Sequence, residues 1–124
     1  MHRSRLAGFI IDSQHADLDV ATRFWSKALG MADAGADGTT YRKLDATDRD
    51  LAVEVQNVDH PSRVHLDIES DDVDAEADRL EFLGAKRIAR IRTWWVLEAP
   101  TGHRFCVIQA KDSLAGKPGV TEWP

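Results

Sequence analysis

The chain has 124 residues, 43% of them hydrophobic, and a formal net charge of −5 at pH 7. This length fits one domain with a modest core, and the composition is ordinary for a globular protein. Basic residues form no stripe, so we do not expect nucleic acid as a partner. No apolar run is long enough to span a membrane, and a single cysteine, Cys106, excludes an internal disulfide. We therefore expect a cytoplasmic location and no membrane partner.

The first half of the chain predicts a strand, a helix and further strands. Residues 6–12 form a short apolar strand, followed by a polar loop at 13–16. Asp17 is placed to cap a helix that Gly30 ends. The apolar residues of this helix recur at helical spacing: Val20, Ala21, Phe24, Trp25, Ala28 and Leu29.

After this helix, the residues at 33–38 are rich in Gly and Asp and predict a turn. Strand propensity returns at 39–44. Residues 51–56 then alternate strictly between apolar and other side chains, which is typical of a strand. Residues 57–62 contain Pro61 and predict a linker.

The second half opens with the most informative stretch of the chain, an alternating strand at 63–69. Its apolar side chains Val64, Leu66 and Ile68 point to one face, where we expect core. The opposite face carries His65, Asp67 and Glu69. A strand with a histidine and two carboxylates on one face is suited to lining a site.

The elements that follow repeat the order of the first half. Ser70 or Asp71 is predicted to cap a helix that Gly84 ends. The apolar residues of this helix are Val73, Ala77, Leu80 and Leu83. Strands are predicted at 85–91, 93–98 and 104–109, with a turn at 99–103 and a surface tail at 110–124.

The two halves match at their helix ends. Ala28-Leu29-Gly30-Met31 and Phe82-Leu83-Gly84-Ala85 occupy equivalent places. We therefore predict an α+β fold in a single domain, with two tandem βαβββ modules at about 5–56 and 63–109. The modules are expected to form a cupped mixed β-sheet with the helices on its outer face. A homodimer is also expected, with its sites near the shared sheets.

The order of these motifs resembles the vicinal oxygen chelate superfamily, which contains glyoxalases, bleomycin resistance proteins and extradiol dioxygenases. The resemblance covers roughly residues 5–109 and is closest to the glyoxalase-like branch. It is carried by the segments Phe24–Met31, His65–Ile68 with Asp71–Ala75, Leu83–Ala85, and Trp94–Val107.

The resemblance implies a metal site with one ligand on the first and last strand of each module, commonly His, Glu, His and Glu. His65 and Glu54 match two of these positions. The other two fall at Gly8, which offers no ligand, and at Cys106. A divalent metal is thus possible, but no cofactor is the leading expectation, because a catalytic ion usually has at least three protein ligands.

The predicted cup face supplies a set of candidate ligand-binding residues: Glu54, Gln56, His65, Asp67, Trp94, Trp95, Arg104 and Cys106. Three functions stay open. The leading hypothesis is a metal-free protein that binds an aromatic or cationic small molecule, as bleomycin resistance proteins do. The second is a metal-dependent lyase, isomerase or dioxygenase, in which Glu69 or Asp67 moves a proton. The third is a metal-free enzyme with His65 as general base.

The plain structural alternatives remain beside these hypotheses. His65 could be a buried histidine bonded to an acid such as Glu54 or Asp67. Arg104 could be a counter-charge, an exposed side chain, or a clamp for a ligand carboxylate or phosphate. Trp94 and Trp95 are adjacent, so one is expected in the helix-side core and the other on the cup face or at a dimer contact.

Overall fold

The computed structural model describes residues 1–14 and 17–124. His15 and Ala16, which end the predicted loop at 13–16, lie outside the described residues. The helices are α1 (Leu18–Leu29) and α2 (Val73–Phe82). The strands are β1 (His2–Gln14), β2 (Asp33–Asp37), β3 (Tyr41–Leu44), β4 (Ala52–Val58), β5 (Arg63–Ser70), β6 (Lys86–Ile91), β7 (Trp94–Glu98), β8 (Arg104–Gln109) and β9 (Thr121–Trp123). No helix among the described residues is long and apolar enough to cross a membrane.

The chain divides into two compact units. The N-terminal unit comprises residues 8–65, and the C-terminal unit comprises residues 1–7 and 66–124. Strand β1 begins in the C-terminal unit and ends in the N-terminal unit, whereas β5 does the reverse.

The N-terminal unit is a mixed sheet in the order β2-β3-β4-β1 with α1 on one face. Strands β1 and β4 run parallel, whereas β4, β3 and β2 are antiparallel neighbours. The core lies between the sheet and α1. Its buried residues include Ile11, Met31, Leu44, Val53 and Val55.

Helix α1 begins and ends as its sequence predicts. The Asp17 side chain accepts hydrogen bonds from the backbone N–H groups of Asp19 and Val20, and Gly30 ends the helix at φ 68°. Only part of the apolar stripe of α1 is covered by the core. Trp25 packs against the core, whereas Val20 and Phe24 are exposed.

The C-terminal unit repeats this plan in the order β5-β8-β7-β6, with β5 and β8 parallel and the other neighbours antiparallel. Helix α2 packs against β6, β7 and β8. The core there contains Val73, Ala85, Leu97 and Val107. The α+β fold of two βαβββ modules is therefore confirmed.

Asp72 caps α2, which corrects the expectation of Ser70 or Asp71. The Asp72 side chain accepts from the backbone N–H of Ala75 at 3.0 Å. The two predicted caps serve β1 instead: Ser70 Oγ donates to the carbonyl of Arg3, and the Asp71 carboxylate accepts from the Arg3 N–H.

The apolar face of β5 is less buried than its pattern predicts. Ile68 packs against the core of the C-terminal unit, but Val64 and Leu66 are 57% and 51% exposed. The reason is the placement of the helix, because α2 packs against β6, β7 and β8. Leu83 is also exposed at the end of α2.

Two segments predicted as irregular contain strands. Residues 33–37 were expected within a turn but pair with β3 as strand β2, which completes the first βαβββ module. The expected tail contains β9, which pairs with His2–Ser4 at the start of β1. Trp123 stabilises the pairing of β9 with β1, because its indole N–H donates to Ser4 Oγ at 2.8 Å and Arg79 stacks on its ring.

Candidate functional site

A buried carboxylate holds the side chain of His65. In the N-terminal unit, His65 Nδ1 lies 2.7 Å from Oδ2 of Asp12. The Asp12 side chain is only 1% exposed, against 14% for His65. Burying a charged carboxylate is unfavourable unless it is paired and hydrogen-bonded, so this contact accounts for an acid at the end of β1. His65 therefore has an acid partner, as the structural alternative predicted, and that partner is Asp12.

Two more nitrogen-bearing side chains approach the same carboxylate oxygen. Arg63 Nε lies 3.8 Å from Asp12 Oδ2, and His60 Nε2 lies 4.0 Å from it. His60 Nδ1 donates to the carbonyl of Pro61 at 2.9 Å, and its Nε2 accepts from Arg63 at 3.4 Å. Arg63 is the permanent positive charge beside Asp12, because a guanidinium is always protonated in proteins.

Asp67 and Cys106 face each other in the C-terminal unit. They are directly paired residues of the parallel strands β5 and β8, so their side chains project to the same face of the sheet. His65 lies two residues before Asp67 on β5 and shares that face. Each of the three offers a ligand atom, and these atoms lie within 4.8 Å of one another. These are the described residues best placed to hold a metal ion.

The opposite face of the same strands is the helix-side core. This decides which face each of the two adjacent tryptophans, Trp94 and Trp95, occupies. Trp95 packs against that core, and its indole N–H donates to Asp74 on α2 at 2.9 Å. Arg87 and Arg90 lie over its ring. The indole and Arg90 hold the pKa of Asp74 below its usual range by hydrogen bonding to the charged carboxylate. Trp95 therefore lies away from the predicted ligand residues, and Trp94 is the member of the pair on the helix-free face.

Arg104 also lies on the helix-free face of the C-terminal unit, two residues before Cys106 on β8. Its Nε donates to Glu98 at 3.2 Å, and both side chains are about one-third exposed. The counter-charge to Arg104 is thus Glu98 on the neighbouring strand β7. Glu69, a candidate catalytic acid, is bonded to Arg5 Nε at 2.7 Å and is 18% exposed.

The helix-free face of the N-terminal unit carries Glu54 and Gln56 on β4. Glu54 pairs with Ile10 of β1 and Gln56 pairs with Asp12, which places Gln56 on the same face as the Asp12 carboxylate. The predicted residues thus occupy the helix-free faces of both units, apart from Trp95.

Position 8 must be glycine, because the backbone of β4 lies very close to it. It pairs with Ala52 on β4, and a Cβ atom at Gly8 would lie 1.8 Å from the carbonyl oxygen of Ala52. No side chain fits there without moving β4. The first-strand ligand that the resemblance implies is therefore absent for a structural reason, and the four-ligand set does not fit this chain.

Asp12 was not among the site residues predicted from the sequence. The available signal was an aspartate that directly follows the apolar run Phe9-Ile10-Ile11. An acid that continues a buried strand needs a partner, and the chain offers several histidines. Which histidine it meets depends on contacts 53 residues apart in the chain.

The chain matches the family model described as Glyoxalase-like domain over residues 8–108. It therefore belongs to the glyoxalase-like domain family. The expected resemblance to the vicinal oxygen chelate superfamily is confirmed. No curated protein matches the chain.

Solved structures from this superfamily share the fold. Methylmalonyl-CoA epimerase from Mycobacterium tuberculosis is 16% identical with a TM-score of 0.64, and the match covers 90% of this chain and 93% of the epimerase. The Mn(II)-bound glyoxalase from Novosphingobium aromaticivorans is 22% identical with a TM-score of 0.59, over 91% of this chain and 44% of the glyoxalase. Homoprotocatechuate 2,3-dioxygenase from Brevibacterium fuscum is 15% identical with a TM-score of 0.61, over 85% of this chain and 36% of the dioxygenase. At these identities the likeness concerns the fold alone.

Proposed function

We propose that this glyoxalase-like domain binds a small aromatic or cationic compound on the helix-free face of its sheet, without a catalytic metal. The observation that carries the proposal is the set of side chains on that face of the C-terminal unit. Trp94 offers an aromatic surface, and Asp67 beside Cys106 places a carboxylate on the same face. Arg104 is compensated by Glu98. An aromatic ring and a carboxylate on one face favour flat or positively charged ligands.

The backbone at Gly8 supports the metal-free form of this proposal. One of the four ligand positions implied by the family resemblance has no side chain, and contact with Ala52 excludes one. A homodimer and a cytoplasmic location stay predictions.

Thermal-shift titration with benzylammonium, with benzoate as the anionic control, tests the proposal. A ligand that binds only the folded state raises the melting temperature as its concentration exceeds its Kd. We expect stabilisation by benzylammonium and none by benzoate.

Two tryptophan variants separate binding from stability. Trp94→Ala should abolish the stabilisation by benzylammonium. Trp95→Ala removes a tryptophan from the opposite, helix-side face, so it should lower the melting temperature yet keep the ligand response. Equal responses in wild type and Trp94→Ala, or no response to benzylammonium in wild type, would contradict the proposal.

A metal-dependent lyase, isomerase or dioxygenase is the second candidate, and one observation favours it. His65, Asp67 and Cys106 offer an imidazole, a carboxylate and a thiolate within 4.8 Å of one another. Three such donors with an open position fit zinc. A bound divalent ion would polarise adjacent oxygens of a substrate.

A thermal-shift titration with zinc, manganese and iron(II) against a chelator distinguishes this candidate. If it is right, one metal raises the melting temperature of wild type by several degrees, and Cys106→Ser and His65→Ala each remove the effect. If no metal has an effect, the metal-dependent function is rejected.

A further inference from the structure

We propose that residues 110–120, which connect β8 to β9, form a strap that closes one end of the helix-free face of the C-terminal unit. The strap opens while the sheet stays folded, and it thereby controls access to the end of the face that carries Glu69. This role goes beyond the proposed function, because it concerns entry to the face and is independent of which compound binds there.

The strap crosses the sheet of the C-terminal unit over strand β5. In the sheet order β5 lies between β8 and β1, and the strap leads from β8 to β9, which pairs with the start of β1. The crossing begins at the end of β5, where the Ala110 N–H donates to the carbonyl of Ser70 at 2.8 Å. A connection from β8 to the far side of β1 must therefore pass β5 on one face of the sheet or the other.

Arg5 shows that the strap passes over the helix-free face. His2 contacts Glu76 of α2 and so points to the helix side of β1, which places Arg5, three residues later, on the opposite face. Arg5 Nε donates to Glu69 on that face at 2.7 Å. Arg5 Nη1 donates to the carbonyl of Pro118 at 3.1 Å. The strap thus lies beside Glu69.

The end of the face beside the strap is the more enclosed one. The side chains of Arg5 and Glu69 are 9% and 18% exposed, although no helix covers this face. Arg104 lies four residues before Ile108, the partner of Glu69 on β8, and so marks the other end of the face. Arg104 and its partner Glu98 are each about one-third exposed. The helix-free face therefore has a closed end at the strap and an open end at Arg104.

The contacts of the strap are those of a segment that opens locally. Of residues 110–120, all of which the structure describes, Leu114 alone is buried, at 2% exposure. Gly116 and Gly119 flank Pro118 with φ of 73° and 74°, which glycine adopts without strain. Segments with few buried apolar contacts open at a lower free energy than core strands. Release of Leu114 and of the Arg5 contact opens the strap without breaking the ladder between β7 and β8.

Native-state hydrogen exchange of the full wild-type chain, followed by NMR at increasing low urea concentrations, tests the separate opening. Exchange through local opening depends weakly on urea, whereas exchange through global unfolding depends steeply on it. The Lys117 N–H, bonded to the carbonyl of Leu114 at 3.2 Å, reports on the strap. The Val107 N–H, in the ladders of β8, reports on the sheet.

We expect the Lys117 N–H to be protected with a weak dependence on urea, and the Val107 N–H to follow the steep one. Equal dependence at the two positions would overturn the separate opening of the strap. Exchange at Lys117 without protection would overturn its closed state.

Carboxylate labelling with glycine ethyl ester and a carbodiimide, read out by mass spectrometry, tests whether the strap covers Glu69. Leu114→Ala removes the buried anchor of the strap and should raise the labelling rate of Glu69 several-fold. The rate at Glu98, at the open end, should not change. Leu29→Ala is the matched control, because it makes the same substitution at a 38% exposed position of α1 and should leave both rates unchanged.

An unchanged rate at Glu69 in a folded Leu114→Ala variant would overturn the proposal. An equal rise at Glu98 would also overturn it, because the change would then have opened the whole sheet rather than the strap. If Leu114→Ala does not fold, the urea dependence of exchange in wild type decides whether the strap opens separately.

Discussion

Replacement of Gly8 by alanine probes the contact between β1 and β4. A Cβ atom there would lie 1.8, 2.6 and 2.8 Å from the O, C and N atoms of Ala52. Ordinary carbon–oxygen contacts are no closer than about 3.3 Å, so the backbone would have to move by about 1.5 Å. That movement disturbs a parallel ladder that continues to Gln14, next to the buried core residues Val53 and Val55.

We expect Gly8→Ala to reduce the free energy of unfolding by about 3 kcal/mol, the upper range for overpacking. In a chain of this size, the melting temperature should fall by roughly 10 °C. Urea denaturation and thermal unfolding followed by circular dichroism measure both quantities.

Gly102→Ala is the matched control, because nothing lies within 4 Å of its added Cβ but its φ is +86°. It should cost about 1 kcal/mol from the left-handed backbone alone. If Gly8→Ala costs no more than Gly102→Ala, the close approach of the strands is not a constraint. The structural reason given for the missing metal ligand would then be wrong.

Three further predictions concern charged side chains. His65→Ala should reduce the free energy of unfolding by about 3 kcal/mol, because it leaves the buried Asp12 carboxylate without its hydrogen bond. Much of that loss should disappear when His65→Ala is made in an Asp12→Asn background. Equal losses in both backgrounds would refute the pairing of Asp12 with His65. Glu76 is fully buried and bonded to two side chains, so Glu76→Gln should reduce the free energy of unfolding by about 3 kcal/mol. Glu122, in an ion pair, is 57% exposed, so Glu122→Gln should reduce it by about 1 kcal/mol or less. Similar losses for the two variants in urea denaturation would contradict this prediction. The pKa of Asp74 is lowered in the folded state, so its stabilisation is present above the unfolded-state pKa and is lost as the pH falls through the folded one. Asp74→Asn should therefore lower the melting temperature at neutral pH, and the difference from wild type should shrink as the pH is lowered below the ordinary aspartate range; a constant difference across pH would rule this out.

Features encoded within a few residues were predictable from the sequence. The alternation that places His65 and Asp67 on one face of β5 needs only the geometry of an extended chain. The Asp17 cap and the Gly30 end of α1 are equally local. Repetition of these signals in the second half predicted the two βαβββ modules, because each copy contains its own helix signals and alternating strands.

Strand β2 shows where local propensity fails. The segment Asp33-Ala-Gly-Ala-Asp37 has none of the branched or aromatic residues that favour strands. It is extended because β3 supplies the hydrogen bonds of a ladder. The predicted burial of Val64 and Leu66 is wrong for a different reason. Their alternation correctly predicts a strand, but it does not show whether a helix covers that face.

The sequence by itself determined the two helices, the strands other than β2 and β9, the polar face of β5 and most of the residues on the helix-free faces. Only the tertiary structure decided that Asp12 meets His65, 53 residues away, and that Ala52 leaves no space for a side chain at Gly8. The physical reason is the same in both cases. Pairing and packing between distant segments set these contacts to within an ångström, whereas local propensity fixes only which elements form and which way their side chains alternate.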